Sequence, residues 1–319
     1  MVNIVFLNSA RVDFDEKLDF APLEALGSFT DYAESSEEDI LERVKGQHVV
    51  ITKEIPLCGE LIMQFPSTVK LICEAGTGYN NIDLEAAKRK GIVVCNVPGY
   101  STEAVAQLVI TFMLNQSASM IPQQKMLENH DFTNFTHHLQ VPHHEIQNKT
   151  LGILGAGTIG NQVIQIALAL GMQVLTNTRT ERVYENPRIR SVSLDELLEQ
   201  SDFVSIHVPL TPETKHLIDK DRLGQMKPSA FLINTSRGSI IHESDLIEAL
   251  QNKVIAGAAL DVLEQEPPSL DNPLLYMDNV MLTPHVGWKC LESRQRLIEL
   301  LSMNISAFME GNPVNIVSP

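Results

Sequence analysis

Apolar residues along this chain fall into two alternating series. Short continuous runs rich in valine, isoleucine and leucine occupy residues 2–7, 48–52, 69–74 and 92–97. Runs of that kind belong to strands buried on both faces. Between them, residues 37–45 and 84–90 carry helical patterns. A second series predicts strands over 150–154, 173–177, 203–207, 230–234, 255–259 and 280–283, with helices over 158–170 and 243–251. Such alternation builds βαβ units and parallel sheets. Residues 100–114 read as one long helix, opened by Ser101-Thr102-Glu103 and apolar almost all round, hence buried. Residues 291–310 are helical in pattern and, following a completed series, are expected to return to the first one.

The loop Gly155-Ala156-Gly157-Thr158-Ile159-Gly160 stands between a buried strand and a helix. In that context each glycine has a reason. The first permits a tight turn, the second lets the backbone approach a pyrophosphate, and the third lets helix pack on strand. The amides of Thr158 and Ile159 then open a helix whose dipole favours an anion. A nicotinamide dinucleotide is the expected cofactor. The next strand usually ends in a carboxylate that holds the ribose hydroxyls of NAD. Eighteen residues after Gly160 this chain has Thr178, followed by Arg179 and Thr180; the nearest carboxylate is Glu181. Without a carboxylate to repel a 2′-phosphate, and with Arg179 as a charged fork, NADP(H) is expected over NAD(H). The competing expectation is a solvated Arg179, with Glu181 on the ribose.

The fold class expected is α/β: two doubly wound parallel-sheet domains, a Rossmann cofactor domain (residues 100–287) inserted into a flavodoxin-like substrate-binding domain (residues 1–99 and 288–319). A chain of 319 residues suits two cores. Its net charge of −16 repels phosphate backbones and anionic membranes, so neither nucleic acid nor membrane is an expected partner. The N-terminus has no basic n-region, and the most apolar stretch, 163–175, falls short of the ~20 residues that span a bilayer. Cys58, Cys73, Cys95 and Cys290 form no CxxC pair and read as reduced thiols of a cytoplasmic protein.

Three later segments set polar groups just beyond apolar strands, where open α/β sheets bind ligands. They are Asn234-Thr235-Ser236-Arg237-Gly238, Asp261-Val262-Leu263-Glu264-Gln265-Glu266 and Thr283-Pro284-His285-Val286-Gly287-Trp288. Together with Ala75-Gly76-Thr77-Gly78-Tyr79-Asn80-Asn81-Ile82-Asp83, the run Asn96–Thr102, the run Asp202–Thr214 and the ending Gly311-Asn312-Pro313-Val314-Asn315, they make the chain resemble the D-isomer-specific 2-hydroxyacid dehydrogenase family over essentially its whole length. Within it, the glyoxylate/hydroxypyruvate reductase and glycerate dehydrogenase branch is the most similar.

The resemblance implies hydride transfer between the dinucleotide and a small 2-oxo acid/D-2-hydroxy acid pair, by a homodimer. It implies Arg237, Glu266 and His285 as the catalytic set. The chemistry suits them. Imidazole titrates near neutrality and can donate a proton, a carboxylate favours its charged form, and a guanidinium pairs with a carboxylate or polarises a carbonyl. Arg237 and His285 also count as substrate contacts, with the backbone of Gly76, Thr77 and Gly78 as a carboxylate cradle. Implied cofactor contacts are Thr102, Val208, Pro209, Thr214, Thr235, Ser236, Arg237, Asp261 (on the nicotinamide amide), His285 and Gly287. His207 reads equally as a cofactor contact and as a strand-end cap. Trp288 reads equally as a neighbour of the substrate and as core. Lys53 reads equally as a neighbour of the cradle and as solvated surface charge, and is not counted as a candidate. No metal is expected: His137-His138 and His143-His144 lack a carboxylate or cysteine cluster to complete a site. The rival reading is a dinucleotide-sensing regulator with little turnover, since fold alone does not fix function. A formate dehydrogenase is disfavoured because Glu266 stands where the resemblance would require glutamine.

Overall fold

The computed structural model describes residues 2–180 and 182–318; Glu181 lies outside them. The chain divides into two compact units, Met1–Ser101 with Trp288–Pro319, and Thr102–Gly287.

The first unit is a parallel five-stranded sheet of β1 (Val2–Phe6), β2 (Gly27–Asp31), β3 (Val49–Thr52), β4 (Leu71–Glu74) and β5 (Val93–Cys95). Its order is β2-β1-β3-β4-β5, the flavodoxin-like arrangement. Successive side chains alternate between the faces. Ile4, Phe6, Ile51 and Leu71 join Leu297, Ile298, Leu301 and Ile305 of helix Leu291–Met309. Val5, Val50 and Ile72 face Ile40, Leu61 and Ile62 on the other side. Each such leucine or isoleucine contributes roughly 1.5–3 kcal/mol by its burial. The same C-terminal helix brings in Arg294, only 2% exposed. Its guanidinium meets both oxygens of Asp15, at 2.7 and 2.9 Å, and donates to Val12 O at 2.9 Å. These bonds hold the Asp15 carboxyl below its usual range and satisfy a cation that would otherwise be costly to bury.

The second unit is a parallel sheet of seven strands: β6 (Thr150–Leu154), β7 (Gln173–Asn177), β8 (Ile189–Ser191), β9 (Phe203–Ile206), β10 (Phe231–Asn234), β11 (Gly257–Leu260) and β12 (Val280–Leu282). The order is β12-β11-β10-β9-β6-β7-β8. Its direction of growth reverses between β6 and β9, the topological switch point at which such sheets bind dinucleotides. The sequence pattern predicts six of these strands and not β8. Likewise it omits β2 in the first sheet. Both are edge strands with no fully buried residue, so neither carries the apolar run that marks the others. The long helix spans Thr102–Ala118, later at both ends than its pattern suggests, and packs Val109 and Met113 with Ile153 and Val163.

Beyond that helix, Met120–Glu128 is helical with no buried residue. Phe132 is 52% and Phe135 78% exposed in the segment that follows. Among the described residues, no single helix is long and apolar enough to cross a membrane. All four cysteines are free.

Candidate active site

The glycine loop of the second unit has the geometry its sequence requires. Gly155 adopts φ +98°, left-handed backbone that favours glycine. A Cβ there would press on the His207 carbonyl at 2.9 Å. A Cβ on Gly160 would overlap Gly155 O, whereas one on Gly157 would meet nothing within 4 Å. Helix Thr158–Ala169 starts at Gly157 with no side-chain cap, so its first amides need another acceptor. Directly after the strand Phe231–Asn234, Thr235 Oγ1 is buried with no hydrogen-bond partner among the described residues. An open approach over Gly157, uncapped amides and an orphaned hydroxyl fit a dinucleotide.

Several candidates prove to shape loops. Thr214 Oγ1 donates to Pro209 O at 2.6 Å and accepts from Thr211 N at 2.7 Å, closing the turn after Val208. Thr178 Oγ1 donates to Thr180 O at 2.6 Å, while the Arg179 side chain is exposed. His207 Nε2 meets Ser205 Oγ at 2.8 Å; burial pushes its pKa down to about 4, so the ring is neutral at pH 7. Thr102 is buried in the first turn of its helix.

At the carboxyl ends of β10, β11 and β12, three loops are tied together. Asn234 Nδ2 donates to Arg237 O at 2.8 Å, and Asn234 Oδ1 accepts from Ser236 N at 3.0 Å. Ser236 Oγ donates to Ile206 O at 2.9 Å. Arg237 is half-buried, with Nη1 on Ser236 O at 2.7 Å. Gly238 lies so close to the next loop that a Cβ would overlap the Leu263 carbonyl. That loop carries Glu266, whose Oε1 accepts from Leu263 N at 3.1 Å and whose Oε2 meets His285 Nδ1 at 2.9 Å.

The loop of His285 is held by Asp261, a carboxylate only 2% exposed. Its Oδ1 accepts from Thr283 Oγ1 at 2.6 Å and Val286 N at 2.8 Å, and its Oδ2 from Gly287 N at 2.9 Å. A carboxylate has about four acceptor positions, which leaves one on Oδ2. His285 itself sits at φ +50°, a sparsely populated conformation for a side-chain-bearing residue and one that clusters at functional positions.

In the first unit, Gly76 O accepts from Val97 N at 2.9 Å and Thr77 O from Asn96 Nδ2 at 2.7 Å. The amides of Gly76, Thr77 and Gly78 have no acceptor among the described residues. Backbone amides without an acceptor are groups that an anion can satisfy. Trp288 is core, 7% exposed and packed with Phe6 and Leu297. Lys53 is not a surface charge: it is 2% exposed, its Nζ 2.6 Å from Glu54 Oε1 and 4.3 Å from the Trp288 ring centroid. Glu74, buried beside it, has its pKa raised to about 7 by desolvation, against the Lys53 charge and a bond from Asn81. Sequence reasoning missed Glu74, Asn234 and Gly238. The position of Gly238 directly after Arg237 is the signal that could have found it. Among the described residues, no group of three or more His, Cys, Asp or Glu could hold a metal.

The family model for the "D-isomer specific 2-hydroxyacid dehydrogenase, NAD binding domain" matches residues 110–287. A hydroxypyruvate reductase of Blautia hydrogenotrophica is 37% identical over 311 residues, 94% of this chain and 95% of that protein. Two solved structures superpose on nearly all of it. One is an acyclic imino acid reductase in complex with NADPH and D-Arg, at TM-score 0.89 and 28% identity, covering 99% of this chain and 100% of that one. The other is a D-lactate dehydrogenase of Aquifex aeolicus complexed with NAD and lactic acid, at TM-score 0.87 and 29% identity, covering 99% of both chains. The chain thus belongs to the D-isomer-specific 2-hydroxyacid dehydrogenase family, enzymes that use a nicotinamide dinucleotide and act on CH–OH groups.

Proposed function

We propose that this enzyme reduces a small 2-oxo acid, glyoxylate or hydroxypyruvate, to its D-2-hydroxy acid with NADPH, and that it works as a homodimer. The observation that carries the reading is the 2.9 Å pair of His285 Nδ1 and Glu266 Oε2, on loops joined to that of Arg237 through Gly238.

Bound dinucleotide supplies the hydride to the carbonyl carbon. Glu266 accepts from Nδ1 of His285 and orients the ring, leaving Nε2–H to donate to the substrate. As charge develops on the carbonyl oxygen, that proton moves to it and His285 becomes neutral. Arg237 pairs with the substrate carboxylate or polarises the carbonyl. The free amides of Gly76, Thr77 and Gly78 receive the carboxylate. The free lone pair of Asp261 Oδ2 suits a donor such as the nicotinamide amide. Steady-state assays of a panel of 2-oxo acids, each with NADPH and NADH, test the reading. Oxidation of NADPH by glyoxylate or hydroxypyruvate is expected. No turnover with any of them would leave the dinucleotide sensor as the better description.

NADPH preference rests on Arg179, exposed in a run without a carboxylate, Asn177-Thr178-Arg179-Thr180. Glu213, whose carboxyl is held low mainly by a hydrogen bond with Thr211, also feels the Arg179 charge, so an acid competes for it. Arg179→Ala is expected to cut the ratio of kcat/KM for NADPH over NADH about tenfold or more, the range for a charge-assisted hydrogen bond. An unchanged ratio counts against the assignment.

The dimer is supported by the exposed apolar side chains of Met120, Ile121, Phe132 and Phe135, four within sixteen residues of chain, because exposed apolar surface of this kind is found at association sites. Placing aspartate at both Phe132 and Phe135 should halve the mass in sedimentation equilibrium while the isolated chain stays folded. A wild-type monomer would refute this assembly.

A further inference from the structure

Lys53 is a cation that the fold has taken out of water and set against the carboxylate cradle. It follows the last residue of β3, where Asn8 holds its backbone on both sides: Asn8 Nδ2 donates to Lys53 O at 2.6 Å and Lys53 N to Asn8 Oδ1 at 2.9 Å. Among the described residues its ammonium has one hydrogen-bond acceptor, Glu54 Oε1; the Trp288 face takes another side. An ammonium has three donors, and buried cations are found fully paired. Nζ lies 3.1 Å from where a Cβ on Gly76 would stand. The absence of a side chain there is what lets the charge reach the loop.

We propose that Lys53 contacts the substrate, receiving its carboxylate jointly with the amides of Gly76, Thr77 and Gly78 and so setting affinity for small 2-oxo acids. The inference rests on the proposed reduction of such acids and adds a charge where that reading had only backbone. Glu74 and Glu54 oppose the anion. Glu74 Oε1 lies 3.5 Å from the same Cβ position on Gly76 and accepts from Glu54 N at 3.1 Å. Burial lifts its pKa to about 7, with the Lys53 charge, Asn81 and the Glu54 amide pulling it down and the Glu54 charge pushing it up. Below that pH the Glu74 carboxyl is neutral. As pH rises through it, a negative charge appears under the cradle, and anion affinity falls.

The test compares wild type, Lys53→Met, Lys53→Arg and Glu74→Gln as full-length enzymes with cofactor bound. The ligand is oxamate, a carboxylate beside an amide carbonyl that accepts no hydride. Titration calorimetry gives its affinity, the 2-oxo acid panel gives KM and kcat, and NADPH binding is followed separately. Lys53→Met should weaken oxamate and raise KM about tenfold or more, leaving NADPH affinity unchanged. Lys53→Arg should keep most of the affinity. Glu74→Gln should reduce the loss of oxamate affinity on raising the pH through 7, leaving only the part that belongs to the His285 proton donor. Equal oxamate affinity in wild type and Lys53→Met overturns the proposal. Should Lys53→Met not fold, a Glu74→Gln pH profile identical to wild type overturns it instead. Lys53-dependent oxamate binding by a wild type that reduces no 2-oxo acid would keep the anion site and remove the reductase reading.

Discussion

Replacing His285 should lower kcat by about 10²–10⁴, the range for losing a general acid, while NADPH binding persists. Alanine alone is an ambiguous test. His285 holds φ +50°, and alanine is strained there in a way that asparagine is not. An alanine variant therefore loses both a proton donor and some of its loop geometry. His285→Asn keeps the backbone and removes the donor. If the imidazole acts chemically, both variants fall together in kcat. If asparagine restores a near-wild-type rate, the residue is there for the turn and the assignment fails. The design is clean because Asp261 fixes the loop through Val286 N and Gly287 N, bonds to which the His285 side chain contributes nothing.

Gly238→Ala should cost more than its size suggests. The added methyl would overlap a backbone carbonyl, that of Leu263, and not the flexible end of a side chain. Overpacking typically costs about 1–3 kcal/mol and more where nothing yields; here the upper end, about 3 kcal/mol, is expected. That corresponds to a fall of roughly 6–12 °C in Tm for a unit of this size. Relief can come only by parting the Arg237 loop from the Glu266 loop, so kcat/KM should drop even at temperatures where the variant is folded. A variant with wild-type Tm and wild-type kcat/KM would show that the two loops need not touch.

Much of this was readable in the sequence, for definite reasons. The central strands are buried on both faces and announce themselves as apolar runs. The glycine loop is legible because each of its glycines answers a separate steric demand, and the structure shows the overlap at Gly155 and Gly160 and the open side of Gly157. What escaped has the opposite character. β2 and β8 lie at sheet edges, and their half-exposed residues carry no strong period. Lys53 could not be told from a surface lysine, because its burial is decided by residues from distant parts of the chain: Asn8, Gly76 and Trp288. Glu74 looked like the last residue of an ordinary strand. Its raised pKa comes from the depth at which β4 ends, which no local pattern encodes.

The C-terminal helix also sets a schedule. The first unit consists of residues 1–101 and 288–319, and the second is the continuous stretch 102–287. On a ribosome, the five strands of the first sheet are made early. One of their faces lacks Leu297, Ile298, Leu301 and Ile305, and Asp15 lacks Arg294, until the last helix emerges. At about 5–20 residues per second, the 186 intervening residues delay it by roughly 10–40 s. The domain begun first is therefore the one finished last. Through that interval its apolar face stays uncovered and prone to aggregation, while the inserted domain can already fold.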